Sequence, residues 1–165
     1  MCRSYDGRVH RAEIKIDDPR RADVRALLGL HMAHMKSQSP PENVFALDVS
    51  GLLDPAVTMF SCRRDGQLLA IGALKELGDG HGELKSMHTA ETARRSGIGR
   101  AMLTYLVGVA RDRGYLLLSL ETGSMAGFRP ARALYASAGF TECGSFADYA
   151  PSPYSTFMQL PLSSG

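Results

Sequence analysis

The stretch Arg94-Arg95-Ser96-Gly97-Ile98-Gly99-Arg100-Ala101 constrains this chain more than any other part of it. It lies between a segment of strand character, Glu83 to Thr89, and a segment of helical spacing, Ile98 to Arg113. In the latter, Ile98, Met102, Leu106, Val109 and Ala110 share one face. Glycines allow positive φ and let a ligand come close to the backbone. Successive N–H groups can then point into one concavity, and the following helix adds unpaired N–H groups and the positive end of its dipole. Arg94, Arg95 and Arg100 bring full charges to the same place. The pattern predicts a diphosphate-binding turn spanning Arg94, Arg95, Ser96, Gly97, Ile98, Gly99 and Arg100.

Spacing narrows the choice of ligand. A Walker loop requires GxxxxGK[ST], whereas Arg100-Ala101 follows Gly99. A dinucleotide fingerprint requires GxGxxG, and Met102 occupies the third glycine position. Glu121 stands at a strand end, where a ribose-binding acid would be. However, the mostly polar residues 90–96 separate the preceding strand from Gly97, whereas in that fingerprint the glycines follow the strand almost directly.

The rest of the chain reads as mixed α/β. Ala12 to Ile16, Val57 to Arg63, Gln67 to Leu74, Tyr115 to Leu120 and Phe157 to Leu160 have strand character. Asp65-Gly66 marks a hairpin between the second and third of these. Val24, Leu27, Leu28, His31, Met32 and Met35 follow helical spacing, which Ser39-Pro40-Pro41 ends. Ala131 to Ala138 reads as a helix stopped by Gly139, Gly78 to Gly82 as a glycine-rich loop, and 42–55 gives no clear pattern. Helices following strands predict one α/β domain over residues 1–165.

Composition excludes several classes of function. A net charge of +2 is too small to mark a nucleic-acid or membrane-surface protein. No apolar run approaches the ~20 residues needed to span a bilayer. The first residues, MCRSYDGRVHR, lack the hydrophobic stretch of a secretory signal. Cys2, Cys62 and Cys143 are odd in number and widely spaced, which suits reduced thiols in the cytoplasm. His31 and His34 have helical i, i+3 spacing, but no third ligand stands near them and HExxH is absent, so no metal site is expected.

Arg94-x-x-Gly97-x-Gly99 resembles the acetyl-CoA signature of the GNAT N-acetyltransferase superfamily. Glu83-Leu84-Lys85-Ser86-Met87-His88-Thr89 is similar to the strand that precedes that signature. Ala131 to Phe140, ARALYASAGF, resembles the family's A..LY...GF helix. The longer stretches GHGELKSMHTA and LSLETGSM are similar to a subgroup of small bacterial N-acetyltransferases. The resemblance implies a central mixed, mostly antiparallel sheet flanked by helices and splayed between its fourth and fifth strands. It further implies that backbone groups of Met87, His88 and Thr89 pair with the pantetheine arm of acetyl-CoA and that the turn holds the pyrophosphate. Many members carry an Asn several residues before the Tyr; here Phe128 or Arg129 stands there.

The implied reaction moves an acetyl group from acetyl-CoA to a primary amine, most simply that of a small molecule, by direct attack in a ternary complex. An ammonium must lose a proton, an oxyanion must be stabilised and a thiolate must leave. Glu83, eleven residues before Arg94, holds the place of the general base in histone-type members. Tyr135 is the family's candidate for the group that meets the thiolate. A phenol of pKa ~10 against a thiol of ~8.5 makes full proton transfer uphill by ~2 kcal/mol, so a hydrogen bond to the developing thiolate is the easier role. An N–H near Met87 to Thr89 would meet the oxyanion. Glu121 and Thr122, at the end of a buried strand, are candidates for the acceptor pocket, and the Ser37 to Asn43 loop for its cap. His81 and His88 are acid–base candidates or lining residues. A non-catalytic CoA-binding domain and a nucleotide-dependent oxidoreductase are the rival readings. Exposed strand edges allow for a homodimer.

Overall fold

In the computed structural model, residues 12–44 and 47–162 are described. The N-terminal segment read above as lacking a secretory signal lies outside them. The strands are β1 (Glu13–Ile16), β2 (Val57–Arg64), β3 (Gln67–Gly78), β4 (His81–Thr89), β5 (Leu117–Gly123), β6 (Thr141–Cys143) and β7 (Ser155–Pro161). The helices are α1 (Ala22–Gln38), α2 (Val49–Leu52), α3 (Ile98–Asp112) and α4 (Arg129–Ser137). The strands form one sheet in the order β1-β2-β3-β4-β5-β7-β6. Every pairing is antiparallel except β4 with β5, which is parallel.

Two apolar layers hold the helices to the sheet. On one face Met102, Leu103, Leu106 and Ala110 of α3 are at most 1% exposed and pack with Leu74, Leu84, Leu118 and Leu120. Each such leucine contributes about 1.5–3 kcal/mol of burial. On the other face Val24, Leu27 and Leu28 of α1 and Leu52 of α2 pack on Met59, Ile71 and Ala73. Arg63 of β2 fastens α1 to the sheet, bonding Asp17 at 2.9 Å and Asp23 at 2.5 Å.

The glycine-rich stretch Gly78 to Gly82 is a tight hairpin rather than a loop. β3 runs to Gly78 and β4 starts at His81, leaving Asp79 (φ 54°) and Gly80 (φ 75°) as the turn. Asp65 (φ 53°) and Gly66 (φ 80°) make the same turn between β2 and β3. Two positive φ values match the right-handed twist of paired strands, which is why Asp-Gly recurs at both. In the stretch 42–55, which has no clear sequence pattern, Val49–Leu52 forms the short helix α2, and β6 is a three-residue edge strand that, among the described residues, pairs with β7 alone.

Candidate active site

The sheet opens where β4 and β5 stop pairing. The parallel ladder runs from His81↔Leu117 to Leu84↔Leu120. Beyond it β4 stays with β3 to Thr89, and β5 stays with β7 to Gly123. A bulge explains the parting. The β3–β4 register shifts between Ile71 and Ala73, and Ser86, within the bulge, has φ 55°. A bulge bends its strand and sharpens its twist. Gly72 lies opposite, and a Cβ there would stand 2.7 Å from Leu106 and 2.8 Å from the Met87 sulfur. α3 therefore rests directly on the bulge. The edge of β4 beyond Leu84 has no strand partner among the described residues, and a cleft of about 680 Å³ lies along it.

One end of the cleft is cationic. Met87, His88 and Thr89 line it, followed by Arg94, Arg95, Gly97, Gly99 and Arg100. Arg95 (φ 63°) and Gly97 (φ 84°) are left-handed, so the chain turns abruptly into α3. Nothing lies within 4 Å of the place a Gly97 Cβ would take. Gly99 owes its small size to a different cause, since a Cβ there would stand 3.2 Å from Thr89 Oγ1. Arg94 Nε donates to the Thr89 carbonyl at 3.4 Å, and Arg100 Nη1 donates to Ser137 Oγ at 3.0 Å. Two residues of the expected set turn their side chains elsewhere. The Ser96 hydroxyl donates back to the Ala93 carbonyl, and Ile98 is buried in the core at 6% exposure. Only their backbone groups belong to the turn.

Tyr135 lines the middle of the cleft from α4, its ring edge-on to Phe140 with centroids 5.9 Å apart. Burial first, and then the charge of Glu121, push its phenol above the ordinary value, so the hydroxyl remains a donor. Glu121 lies across from it on β5 and accepts from Ser155 Oγ at 2.9 Å. Burial raises the Glu121 carboxyl to about 7; the Ser155 bond and Lys85 pull it down, and Glu83 pushes it up. Thr122 follows it in the cleft wall. Phe128, one of the two residues in the place of the family's Asn, is buried and lines the same wall.

Glu83 also lines the cleft, but its Oε2 is occupied. Tyr149 Oη donates to it at 2.5 Å and Lys85 Nζ at 3.1 Å, and Lys85 donates to Tyr149 at 2.8 Å. Lys85 shares a strand face with Glu83 at i, i+2, a spacing that could have drawn attention to it. Tyr149 comes from the segment between β6 and β7, held by Phe146 and Phe157 with centroids 5.1 and 5.6 Å away. No local pattern announces it.

The histidines separate. His31 of α1 and His88 of β4 line the cleft with their Nδ1 atoms 3.2 Å apart. Burial, then His88 and His34, lower His31 to about 3. Burial, then Arg94 and His34, lower His88 to about 4. Both rings line the cleft and are pushed toward the neutral form. The structure thus brings a third imidazole, His88, toward His31 and His34, yet among the described residues no group of three His, Cys, Asp or Glu is placed to hold a metal. His81 is bonded to Ser119 Oγ at 2.7 Å, at the closed end of the β4–β5 ladder.

Residues 23–140 match the family model described as the acetyltransferase (GNAT) family. The protein named N-acetyltransferase YedL of Escherichia coli is 48% identical over 149 residues, covering 90% of this chain and 94% of YedL. The one named N-acetyltransferase YsnE of Bacillus subtilis is 46% identical over 149 residues, covering 90% and 99%. A Bacillus subtilis acetyltransferase crystallised in complex with CoA has the same fold, with a TM-score of 0.70 at 14% identity over 93% of this chain and 100% of that one. The splayed sheet, the turn and these likenesses agree, and the chain belongs to the GNAT acetyltransferase family.

Proposed function

We propose that this protein transfers the acetyl group of acetyl-CoA to the primary amine of a small molecule, with Glu121 taking the amine proton and Tyr135 meeting the thiolate. One observation carries the reading. A cleft between the parted strands has the cationic turn at one end and, further along, is lined by the buried Tyr135 phenol and the Glu121 carboxylate.

The residues fit acetyl-CoA. The free edge of β4 offers Met87, His88 and Thr89 to an extended amide chain, as a strand edge does. Ser86 Oγ is buried in the cleft wall without a hydrogen-bond partner among the described residues. The open space over Gly97 admits a phosphate to the backbone. The co-substrate would supply the activated acetyl thioester. Glu121 in its ionised form would accept a proton from the incoming ammonium, leaving the amine lone pair free for the acetyl carbonyl. A β4 N–H would stabilise the oxyanion. As the carbon–sulfur bond breaks, Tyr135 would donate a hydrogen bond to the thiolate, which takes up the second amine proton. The base role goes to Glu121 rather than Glu83 because Glu83 is tied into an ion pair with Lys85 and a bond from Tyr149, whereas Glu121 carries a bond from the Ser155 hydroxyl.

Thermal shift and thiol release test the reading together. Acetyl-CoA at 100 times its Kd should add ~2.7 kcal/mol of stability, with no shift from NADH. An amine panel of amino acids, polyamines and aminoglycosides should contain an acceptor that releases thiol. A shift with NADH alone would return the oxidoreductase reading. CoA binding without thiol release from any amine would favour the non-catalytic binder.

A further inference from the structure

Side chains alternate along a strand, and Leu84, Leu118 and Leu120 pack on the α3 face of the sheet. Glu83 and Lys85 of β4 and Glu121 and Gly123 of β5 therefore share the opposite face. The parallel ladder ends at Leu84↔Leu120. One step further, where the strands part, Lys85 and Glu121 stand on the two sides of the opening. Two carboxylates and one ammonium thus meet on this face, and the ammonium is taken. Lys85 Nζ donates to Glu83 at 3.1 Å and to Tyr149 Oη at 2.8 Å, and its side chain is 8% exposed. Glu121 accepts from the Ser155 hydroxyl, and no ion pair among the described residues reaches it.

The walls beyond Glu121 offer an anion little. The Phe128 ring occupies the place that a Gly123 Cβ would take, and His34 packs edge-on against that ring, with centroids 5.2 Å apart. His31 and His88 are bonded to each other at 3.2 Å. Arg132 of α4 donates to the Gly123 and Met125 carbonyls at 2.7 and 3.0 Å. The first turn of α4 contains Pro130, which has no N–H to donate. We propose that the acceptor is a primary amine with no carboxylate on the carbon that bears its nitrogen: an alkyl- or arylalkylamine, a polyamine or an amino sugar rather than an α-amino acid. This rests on reading Glu121 as the group that receives the amine. An ammonium beside Glu121 meets an opposite charge. The carboxylate of an α-amino acid is held two bonds from its nitrogen, so it would lie against Glu121 and a lysine already neutralised by Glu83. Like charges brought together in this way reject a ligand strongly.

The test is a comparison of acceptors. Thiol release from acetyl-CoA is measured over α-amino acids, alkyl- and arylalkylamines, polyamines and aminoglycosides. The best acceptor should carry no α-carboxylate. A best acceptor that is an α-amino acid overturns the proposal while leaving acetyl transfer to an amine intact. A matched set then isolates the charge. Phenylalanine differs from 2-phenylethylamine by its carboxylate, and phenylalaninamide keeps the bulk without the charge. By kcat/KM, 2-phenylethylamine should exceed phenylalanine at least ~100-fold, and phenylalaninamide should recover most of that loss. Calorimetric titration of the CoA-loaded protein should rank the three in the same order. Phenylalaninamide as poor as phenylalanine would mean that size is being rejected, and the proposal falls. Glu83→Gln leaves the Lys85 charge without its anion, so the gap between 2-phenylethylamine and phenylalanine should narrow about tenfold; an unchanged gap in the folded variant overturns the charge argument. The wild-type comparison decides the matter if that variant does not fold. The parent reading fails differently: acetyl-CoA binding with no thiol release from any amine removes the transfer itself, and wild-type turnover by Glu121→Gln removes Glu121 from it.

Discussion

The two ends of the cleft are built on different principles. The cationic end is nearly contiguous, running from Met87 to Arg100, and it is built from backbone groups and the entry to one helix. The far end gathers side chains from α1, β4, β5, β7 and the segment before β7, joined by bonds such as Tyr149 to Glu83 across 66 positions. A site made of backbone depends on conformation and is damaged by shape. A site made of side chains depends on charge and is damaged by chemistry. The sharpest way to break this comparison is Gly97→Val. A β-branched residue is strained at φ 84°, and its side chain would fill the open space over the turn. CoA affinity should fall at least ~100-fold by calorimetric titration, of the order expected from losing several charge-assisted bonds at ~1.5–3 kcal/mol each. Circular dichroism should remain that of the wild type. Normal binding by the folded variant would place the phosphates elsewhere.

Tyr135 stands between the two ends and should behave like the second kind. Tyr135→Phe keeps the packing on Phe140, so CoA affinity should hold. It removes one hydrogen bond to developing charge, about 1.5–3 kcal/mol, or roughly 10–100-fold in kcat. Raising the pH should not restore the rate, because burial already keeps the phenol protonated across the working range. A wild-type kcat with a confirmed acceptor would free the hydroxyl of any role.

A buried carboxylate in the cleft should also be visible in folding. The Glu121 pKa is raised from 4.5 to about 7, so the native state favours its neutral form. That contribution is complete below pH 4.5 and is lost as the pH rises through 7. Glu121→Gln keeps a neutral group at every pH. Its stability should therefore match the wild type in acid and exceed it above pH 7, by at most about 3 kcal/mol. Denaturant unfolding at pH 4 and pH 8 measures the difference. A variant less stable than the wild type at pH 8 would show that the ionised carboxylate is held favourably, and would weaken the case for it as a base.

The same contrast explains what the sequence revealed. The turn, the bulged strand before it and the ALY helix were legible because each is local: glycines at fixed offsets, three arginines, and a helical apolar face. Ser96 and Ile98 send their side chains inward, as a helix entry requires of some residues, so their place in the motif rests on backbone groups alone. Gly99 is also short of room for a side chain, with Thr89 beside it. The Glu83–Lys85–Tyr149 cluster was invisible because its third member comes from a strand-poor segment, and no spacing rule reaches that far. β6 was missed since three residues carry too little alternation to stand out.

The smallest expected effect sharpens the comparison at the rim. Asn43, in the short helical turn Pro41–Asn43 that follows α1, donates from Nδ2 to Ser152 Oγ at 2.8 Å, across 109 positions. Ser152 lies three residues from Tyr149, so the bond ties the segment carrying Tyr149 to the segment leaving α1. If the far end of the cleft is held by such long-range side-chain bonds, cutting this one should loosen acceptor binding and leave the contiguous end alone. A part-buried neutral bond contributes about 1 kcal/mol net. Asn43→Ala should therefore raise the acceptor KM by roughly fivefold, with the CoA Kd unchanged. The melting temperature should drop by about 2–4 °C. Ser152→Ala should do the same or slightly more, since Ser152 Oγ also accepts from the Tyr154 amide at 3.1 Å. The double variant decides whether the bond itself matters: it should be no worse than Ser152→Ala alone, because the second substitution has nothing left to cut. Additive effects of the two substitutions on KM would mean that each residue acts through other neighbours. An equal loss in CoA affinity would mean that the two ends of the cleft are one mechanical unit after all.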